Sequence, residues 1–224
     1  MGTLYIVATP IGNLQDISER AIATLKAVDG IYCEDTRVTR VLLDHYGITK
    51  PLFAYHQHST EGVTETIAQK LAGGASLALV SDAGTPGIND PGGRLIAELT
   101  RTIPGLRVVP IPGPNAAIAA LSASGFRADR YQYWGFIPLK KGRQTFIAKL
   151  MECEDTVVFY ESKYRIQKTL QALAAAMPER QMLLARELTK KFETLYRGTA
   201  GQILTALQSD AVLGEFVIVV GPHA

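Results

Sequence analysis

Three short segments combine residues that let a backbone approach a bound ring with groups that could orient a ligand. They are Thr9-Pro10-Ile11-Gly12-Asn13, Ser81-Asp82-Ala83-Gly84-Thr85-Pro86-Gly87 and Pro112-Gly113-Pro114-Asn115. Glycine tolerates positive φ and leaves room where a Cβ would intrude, and proline fixes φ. Each segment directly follows an apolar run of strand length. In a parallel sheet the loops leaving the carboxyl ends share one edge, where open α/β proteins bind ligands. Three such loops together predict one site rather than three tight turns. By contrast, Asp90-Pro91-Gly92 reads as a helix start, an N-cap followed by proline at the first helical position. The chain has no Gly-x-Gly-x-x-Gly followed by an acidic residue and no Gly-x-x-x-x-Gly-Lys, which disfavours a phosphate cradle. Asp82, at a strand end, suits a ligand carrying hydroxyls or positive charge.

The elements that must position these loops are legible in the hydrophobic pattern. Apolar runs at Leu4–Ala8, Ile31–Cys33, Leu52–Tyr55, Leu77–Val80 and Val108–Ile111 are separated by amphipathic segments, which predicts a mostly parallel sheet. One helix is expected over Asp16–Val28, capped by Asp16 or Ser18, and another near Val38–Tyr46 that stops at Gly47. The small, polar stretch Ala123–Arg130 reads as a linker, giving domains 1–122 and 123–224. Beyond it, strands are expected at Tyr131–Ile137, Thr156–Tyr160, Met182–Arg186 and Phe216–Val220. Helices are expected near Gln144–Met151, over Lys163–Met177 with Ser162 as cap, and near Ala200–Gln208. Short links there imply antiparallel as well as parallel pairing, and Trp134 and Tyr131 read as core.

With 224 residues, 47% hydrophobic and 20% charged, the chain has ordinary globular usage, which excludes disorder, coiled coil and collagen-like classes. The net charge is +2, but Lys140 to Arg197 holds twelve basic against seven acidic residues. Positive potential is concentrated in the second half. Cys33 and Cys153 show no metal spacing and read as reduced thiols; His56-x-His58 lacks a third ligand, so no metal is expected. No apolar run reaches membrane-spanning length. Met1–Pro10 has no basic leader, and Ile6 breaks the Gly2 myristoylation pattern, so neither export nor a lipid anchor is expected and the chain reads as cytoplasmic.

Four ordered motifs carry a resemblance over essentially the whole chain: Ala8-Thr9-Pro10-Ile11-Gly12-Asn13-Leu14 with Asp16; Glu34-Asp35-Thr36-Arg37; Ser81-Asp82-Ala83-Gly84-Thr85-Pro86-Gly87-Ile88-Asn89-Asp90-Pro91-Gly92; and Pro112-Gly113-Pro114-Asn115-Ala116. The sequence resembles the ribosomal RNA small subunit methyltransferase I branch of the tetrapyrrole methylase superfamily. That resemblance implies two α/β domains with S-adenosylmethionine in the cleft between them, a homodimer, and 2′-O-methylation of a cytidine ribose in small-subunit ribosomal RNA or the 30S particle. By the same resemblance, cofactor positions fall on Pro10, Val80, Ser81, Asp82, Thr85, Asn115, Ala116, Glu161 and Leu188. The first two loops depart from the Gly-Pro-Gly-Asp and Gly-Asp-Pro patterns of the small-molecule relatives, which favours RNA over a corrin or porphyrin substrate. Members of this branch commonly continue past Gly214–Val220 into a small further segment, a departure that bears on RNA affinity rather than on the cofactor.

Methyl transfer from a sulfonium is an in-line displacement governed by positioning, and a weak hydroxyl nucleophile gains from a base. Candidate bases are Glu34, Asp35 and Glu161, with Asp35 equally suited to cap a helix. Expected RNA contacts are Arg37 and Arg40, three apart on one helical face; Lys140, Lys141 and Arg143; and Lys163 and Arg165 with Lys168 at a helix start.

Overall fold

The computed structural model describes residues 1–56, 61–207 and 214–223. The chain divides into two compact units, Met1–Asn115 and Ala116–Ala224.

The first unit contains β1 (Thr3–Val7), α1 (Glu19–Ala27), β2 (Gly30–Cys33), α2 (Thr36–His45), β3 (Leu52–Ala54), α3 (Glu61–Ala72), β4 (Ser76–Leu79), α4 (Gly92–Thr102) and β5 (Arg107–Ile111). Its strands form a parallel sheet in the order β3-β2-β4-β1-β5. Ala21 and Leu25 of α1 pack with Leu42 and Leu43 of α2 in one core layer. Ile67 and Leu71 of α3 pack with Leu95 and Leu99 of α4 in another. The sheet is thus covered on both faces, which explains why its strands read as continuous apolar runs. Ser18 caps α1, its Oγ accepting from the Ala21 N–H, and Asp35 caps α2 by accepting from the Arg37 N–H. Both helices therefore begin where a short polar side chain can satisfy a free backbone donor.

The second unit holds α5 (Ala116–Ser124), β6 (Tyr131–Phe136), α6 (Arg143–Glu152), β7 (Thr156–Ser162), α7 (Ile166–Ala176), β8 (Gln181–Arg186), β9 (Thr194–Thr199), α8 (Ala200–Leu207) and β10 (Glu215–Val220). The sheet order is β6-β7-β10-β8-β9, with β6 and β7 parallel and the remaining pairs antiparallel. One face carries the core built from α6, α7 and α8, including Leu150, Leu170, Leu173 and Ile203. The other is covered by α5, whose Ala117, Ala120 and Leu121 meet Val158, Leu183, Val217 and Val219.

Several expectations need correction. The break between units falls after Asn115, so the expected boundary at 122/123 lies inside α5. Ala-rich α5 has almost no polar face to reveal it, and the small polar residues after it form its end: Gly125 has φ +77° and Ser124 Oγ accepts from the Phe126 N–H. Helix α7 begins at Ile166, not Lys163, because β7 continues to Ser162, paired with Glu215 of β10. Tyr131 is exposed rather than core, whereas Trp134 is partly buried against the α6–α8 face. Strand β9 has no counterpart among the expected elements; it contains Gly198 and lies at the sheet edge. No helix among the described residues is long and apolar enough to cross a membrane.

Candidate functional site

Because β4, β1 and β5 are neighbours, their three loops leave the carboxyl edge of the first sheet side by side. Hydrogen bonds then lock them together. The Thr9 N–H donates to Gly84 O and the Gly84 N–H returns to Thr9 O, at 2.9 and 3.1 Å. Thr9 Oγ1 donates to Ser81 O at 3.0 Å, Ser81 Oγ to Gly84 O at 3.1 Å, and Thr85 Oγ1 to Pro114 O at 3.0 Å. Gly84 has φ +86°, a conformation that disfavours any side chain. At Gly113 a Cβ would stand 2.9 Å from Ala8 Cβ, so the third loop lies flat on the first only because that atom is missing. Pro10, Val80, Ser81, Asp82, Thr85 and Asn115 are thereby gathered at one edge. Asp90, read as a cap, accepts from the N–H groups of Gly92 and Gly87 at 2.7 and 2.8 Å, and so shapes the turn.

A cavity of about 290 Å³ opens at this edge between Pro10, Ser81 and Asp82 and an apolar wall of Val38, Val41 and Leu42 from α2. Sequence reasoning missed that wall. Its signal was present: Val38 and Val41 are three apart on an otherwise polar helical face.

The carboxylates separate by environment. Asp82 Oδ1 accepts from the Asp35 N–H at 3.0 Å, joining the end of β2 to the loop after β4. Asp35 itself is committed to α2: it accepts from the Arg37 N–H and pairs with the Arg37 guanidinium at 2.6 Å. Those hydrogen bonds hold its carboxyl at about 2, too acidic for a useful base near neutrality. Glu34 is the reverse case. Burial, with the charges of Asp82 and Asp90 nearby, pushes its carboxyl above the ordinary glutamate value. Of the three candidate bases, Glu34 alone combines raised basicity with a place on this edge.

Glu161 requires a correction. Its side chain has no exposed surface and is held by Arg165 at 2.7 Å, Arg143 at 3.6 Å, the Thr169 hydroxyl and the Ser162 N–H. A carboxylate so enclosed and doubly paired cannot take a proton from a substrate hydroxyl. Its partners lose their expected role too: Arg143 and Arg165, with 15% and 20% of their side chains exposed, serve this buried knot rather than an RNA backbone. Lys140, Lys141 and Arg40 are exposed, Lys163 is partly exposed, and Arg37 is exposed but paired with Asp35.

Ala116 and Leu188 pack against one hydrophobic cluster of the second unit, together with Tyr133 and Tyr160. Leu188 is flanked by Glu187 at φ +50° and Thr189 at φ +66°, and the Thr189 hydroxyl is buried with no hydrogen-bond partner among the described residues. Left-handed non-glycine residues cost about 1–3 kcal/mol each and concentrate at functional loops. His58 lies outside the described residues, and among those described no three His, Cys, Asp or Glu side chains gather as metal ligands.

The description "Tetrapyrrole (Corrin/Porphyrin) Methylases" belongs to the family model that matches residues 3–204. Ribosomal RNA small subunit methyltransferase I of Escherichia coli O157:H7 is 49% identical over 227 residues, covering 99% of this chain and 78% of that one. The protein so named in Mesorhizobium japonicum is 47% identical over 222 residues, covering 98% and 75%. Among solved structures, uroporphyrin-III C-methyltransferase from Thermus thermophilus, complexed with S-adenyl homocysteine, superposes with a TM-score of 0.65 at 17% identity, over 98% of this chain and 97% of that one. That likeness is one of fold, and it agrees with the two α/β units described above. The chain belongs to the tetrapyrrole methylase family, and within it to the group of ribosomal RNA small subunit methyltransferase I.

Proposed function

We propose that the chain transfers a methyl group from S-adenosylmethionine to the ribose 2′-hydroxyl of a cytidine in small-subunit ribosomal RNA. The observation that carries this reading is the locked set of three loops holding Asp82 beside Pro10, in a chain 49% identical to a relative named for that RNA. The residues fit the cofactor. A carboxylate in the cavity lining complements a cationic sulfonium, the apolar wall of Val38, Val41 and Leu42 suits a flat ring, and the phosphate-cradling motifs are lacking.

Pro10, Val80, Ser81, Asp82, Thr85, Asn115, Ala116 and Leu188 would hold S-adenosylmethionine, which when bound supplies an electrophilic methyl carbon. The chain's own contribution is then positional. The locked loops keep the bound partners from drifting, and holding reacting atoms about 3–3.5 Å apart in line yields most of the acceleration. Glu34 accepts the proton of the ribose hydroxyl as that oxygen becomes the nucleophile, a contribution of about 10²–10⁴-fold. The enzyme acts in the cytoplasm, as a homodimer, and without a metal.

Tritiated methyl transfer to 30S particles, naked ribosomal RNA and tetrapyrrole precursors tests the reading. Label in the RNA, stable to alkaline hydrolysis at a cytidine, is the expected result. Label in a tetrapyrrole with none in RNA would refute it in favour of a small-metabolite methyltransferase.

A further inference from the structure

The carboxyl edge of the parallel β6–β7 pair carries exposed surface that the methyl-transfer reading leaves unused. The two strands run side by side with Phe136 opposite Tyr160, so the segments after them, 137–142 and 163–165, leave the sheet together. Arg165 ties the two, donating from Nη1 to Ile137 O at 3.2 Å and from Nε to Ser162 Oγ at 3.1 Å while it grips Glu161. Arg143, at the start of α6, closes the same knot through Thr169. The result is a braced platform rather than two independent loops.

On that platform stand three large apolar side chains in water: Tyr164, 86% exposed; Leu139, 75%; and Phe136, 54%. Among them lie Lys140 and Lys141, both exposed, and Lys163, whose Nζ sits 5.1 Å from the centre of the Tyr164 ring. The one carboxylate in the knot, Glu161, is buried and faces two guanidiniums, so it cannot neutralise the lysines outside. Exposed apolar groups gathered in one place mark an interaction surface. The lysines say what kind. Lysine is depleted at protein–protein interfaces, and a second copy of this edge would have to cover the cations with more of the same. A polyanion with flat, apolar rings matches both features, because aromatic side chains stack on unpaired bases while cations follow the phosphates.

We propose that this edge of the second unit is a stacking platform for single-stranded RNA. Bases stack on Tyr164 and Phe136, and Lys140, Lys141 and Lys163 meet the flanking phosphates. The assignment rests on the reading that RNA is the substrate, and it deepens that reading by naming unpaired RNA as the form recognised.

The test uses the full chain and a fluorescent single-stranded oligoribonucleotide from small-subunit ribosomal RNA, with affinity followed by anisotropy across a salt series. Tyr164→Ala is expected to weaken binding about 5- to 100-fold, the loss of one stacked base, without changing the slope of log K against log salt. Tyr164→Phe should restore most of the affinity. Lys140→Ala with Lys141→Ala should weaken binding and also flatten that slope by about 0.7 per lost phosphate contact. All variants should bind S-adenosylmethionine like the parent and keep its circular dichroism. Parent-like RNA affinity in Tyr164→Ala overturns the platform, and so does a loss of affinity that accompanies conversion of a dimer to a monomer in sedimentation. A parent protein that methylates 30S particles while Tyr164→Ala does so equally well refutes the platform alone; a parent that ignores RNA refutes the substrate reading itself.

Discussion

Removing the Glu161 carboxylate should destabilise the second unit without directly touching the chemistry, and the size of the loss can be worked from its partners. Deleting one member of a buried ion pair usually costs about 3–5 kcal/mol, because the surviving charge is left uncompensated. Here two guanidiniums survive, which pushes the loss upward. Both, however, keep neutral acceptors: Arg143 retains Thr169 Oγ1 at 2.7 Å, and Arg165 retains Ser162 Oγ and Ile137 O. Each also keeps a fifth or less of its side chain in solvent, enough to lean toward water. The two effects oppose one another, so Glu161→Ala is expected near the low end, about 3–4 kcal/mol. For a unit of roughly a hundred residues that lowers Tm by roughly 12–25 °C. Differential scanning calorimetry reads the shift, and a cycle with Arg165→Met isolates the pair. Below the altered transition, the pH dependence of methyl transfer should match the parent's. A Tm within about 2 °C of the parent, or a displaced pH profile, would show that Glu161 takes part in catalysis and that its burial has been misjudged.

Asp82→Ala should weaken S-adenosylmethionine binding about 10- to 100-fold in calorimetry, as expected for a lost hydrogen bond to a charged group, with little change in Tm because the released Asp35 N–H can turn to water. Unchanged affinity would move the cofactor elsewhere. Gly113→Ala forces its Cβ to within 2.9 Å of Ala8 Cβ, so the third loop must shift; overpacking of this kind costs about 1–3 kcal/mol and should lower both Tm and cofactor affinity. If neither moves, the loops are not a locked unit. Glu34→Gln should reduce methyl transfer about 10²–10⁴-fold while leaving cofactor binding intact. In the parent, the rate should rise with pH and reach half its maximum above the ordinary glutamate value of 4.5, because the base works ionised and its carboxyl is pushed up by burial, Asp82 and Asp90. The same shift fixes the sign for stability. Glu34 favours folding most below 4.5, where it is protonated, and that contribution is lost as pH rises through its higher folded value. Glu34→Gln should therefore raise Tm at neutral pH by an amount that vanishes in acid.

How much of this was legible in the sequence depended on how local the cause was. The strands of the first sheet, the loops at their carboxyl ends and the cap at Ser18 follow from neighbouring residues, and each appears within a residue or two of its expected place. The unit boundary did not, because α5 is apolar nearly all round and its end mimics a linker. The roles of Glu161, Arg143 and Arg165 were unreadable for a different reason. Glu161 and Arg165 lie four apart and Arg143 eighteen residues upstream; only the pairing of β7 with β6 and β10, and the burial it brings, turns an apparent base and two apparent RNA contacts into one structural knot. Likewise Asp35 and Glu34 are adjacent in the chain, yet one is held acidic by Arg37 and the other made more basic by burial near Asp82 and Asp90.

That divergence bears on how a polyanion can be handled at all. The carboxyl edge of the first sheet gathers Glu34, Asp35, Asp82 and Asp90, of which, among the described residues, Asp35 alone is paired with a guanidinium. A phosphate brought there would meet uncompensated negative charge, whereas a sulfonium would be attracted and a ribose hydroxyl could give up its proton. The β6–β7 edge of the second unit has the opposite balance, since Glu161 is buried between two guanidiniums while Lys140 and Lys141 stand in water and Lys163 is partly exposed. On the proposed reading, backbone contacts of RNA fall to the second unit and proton transfer to the first. Charge reversal at Lys140 and Lys141 should accordingly raise KM for 30S particles with little effect on kcat, while Glu34→Gln should lower kcat with little effect on KM. If both variants changed the same parameter, this division of labour between the two edges would be wrong.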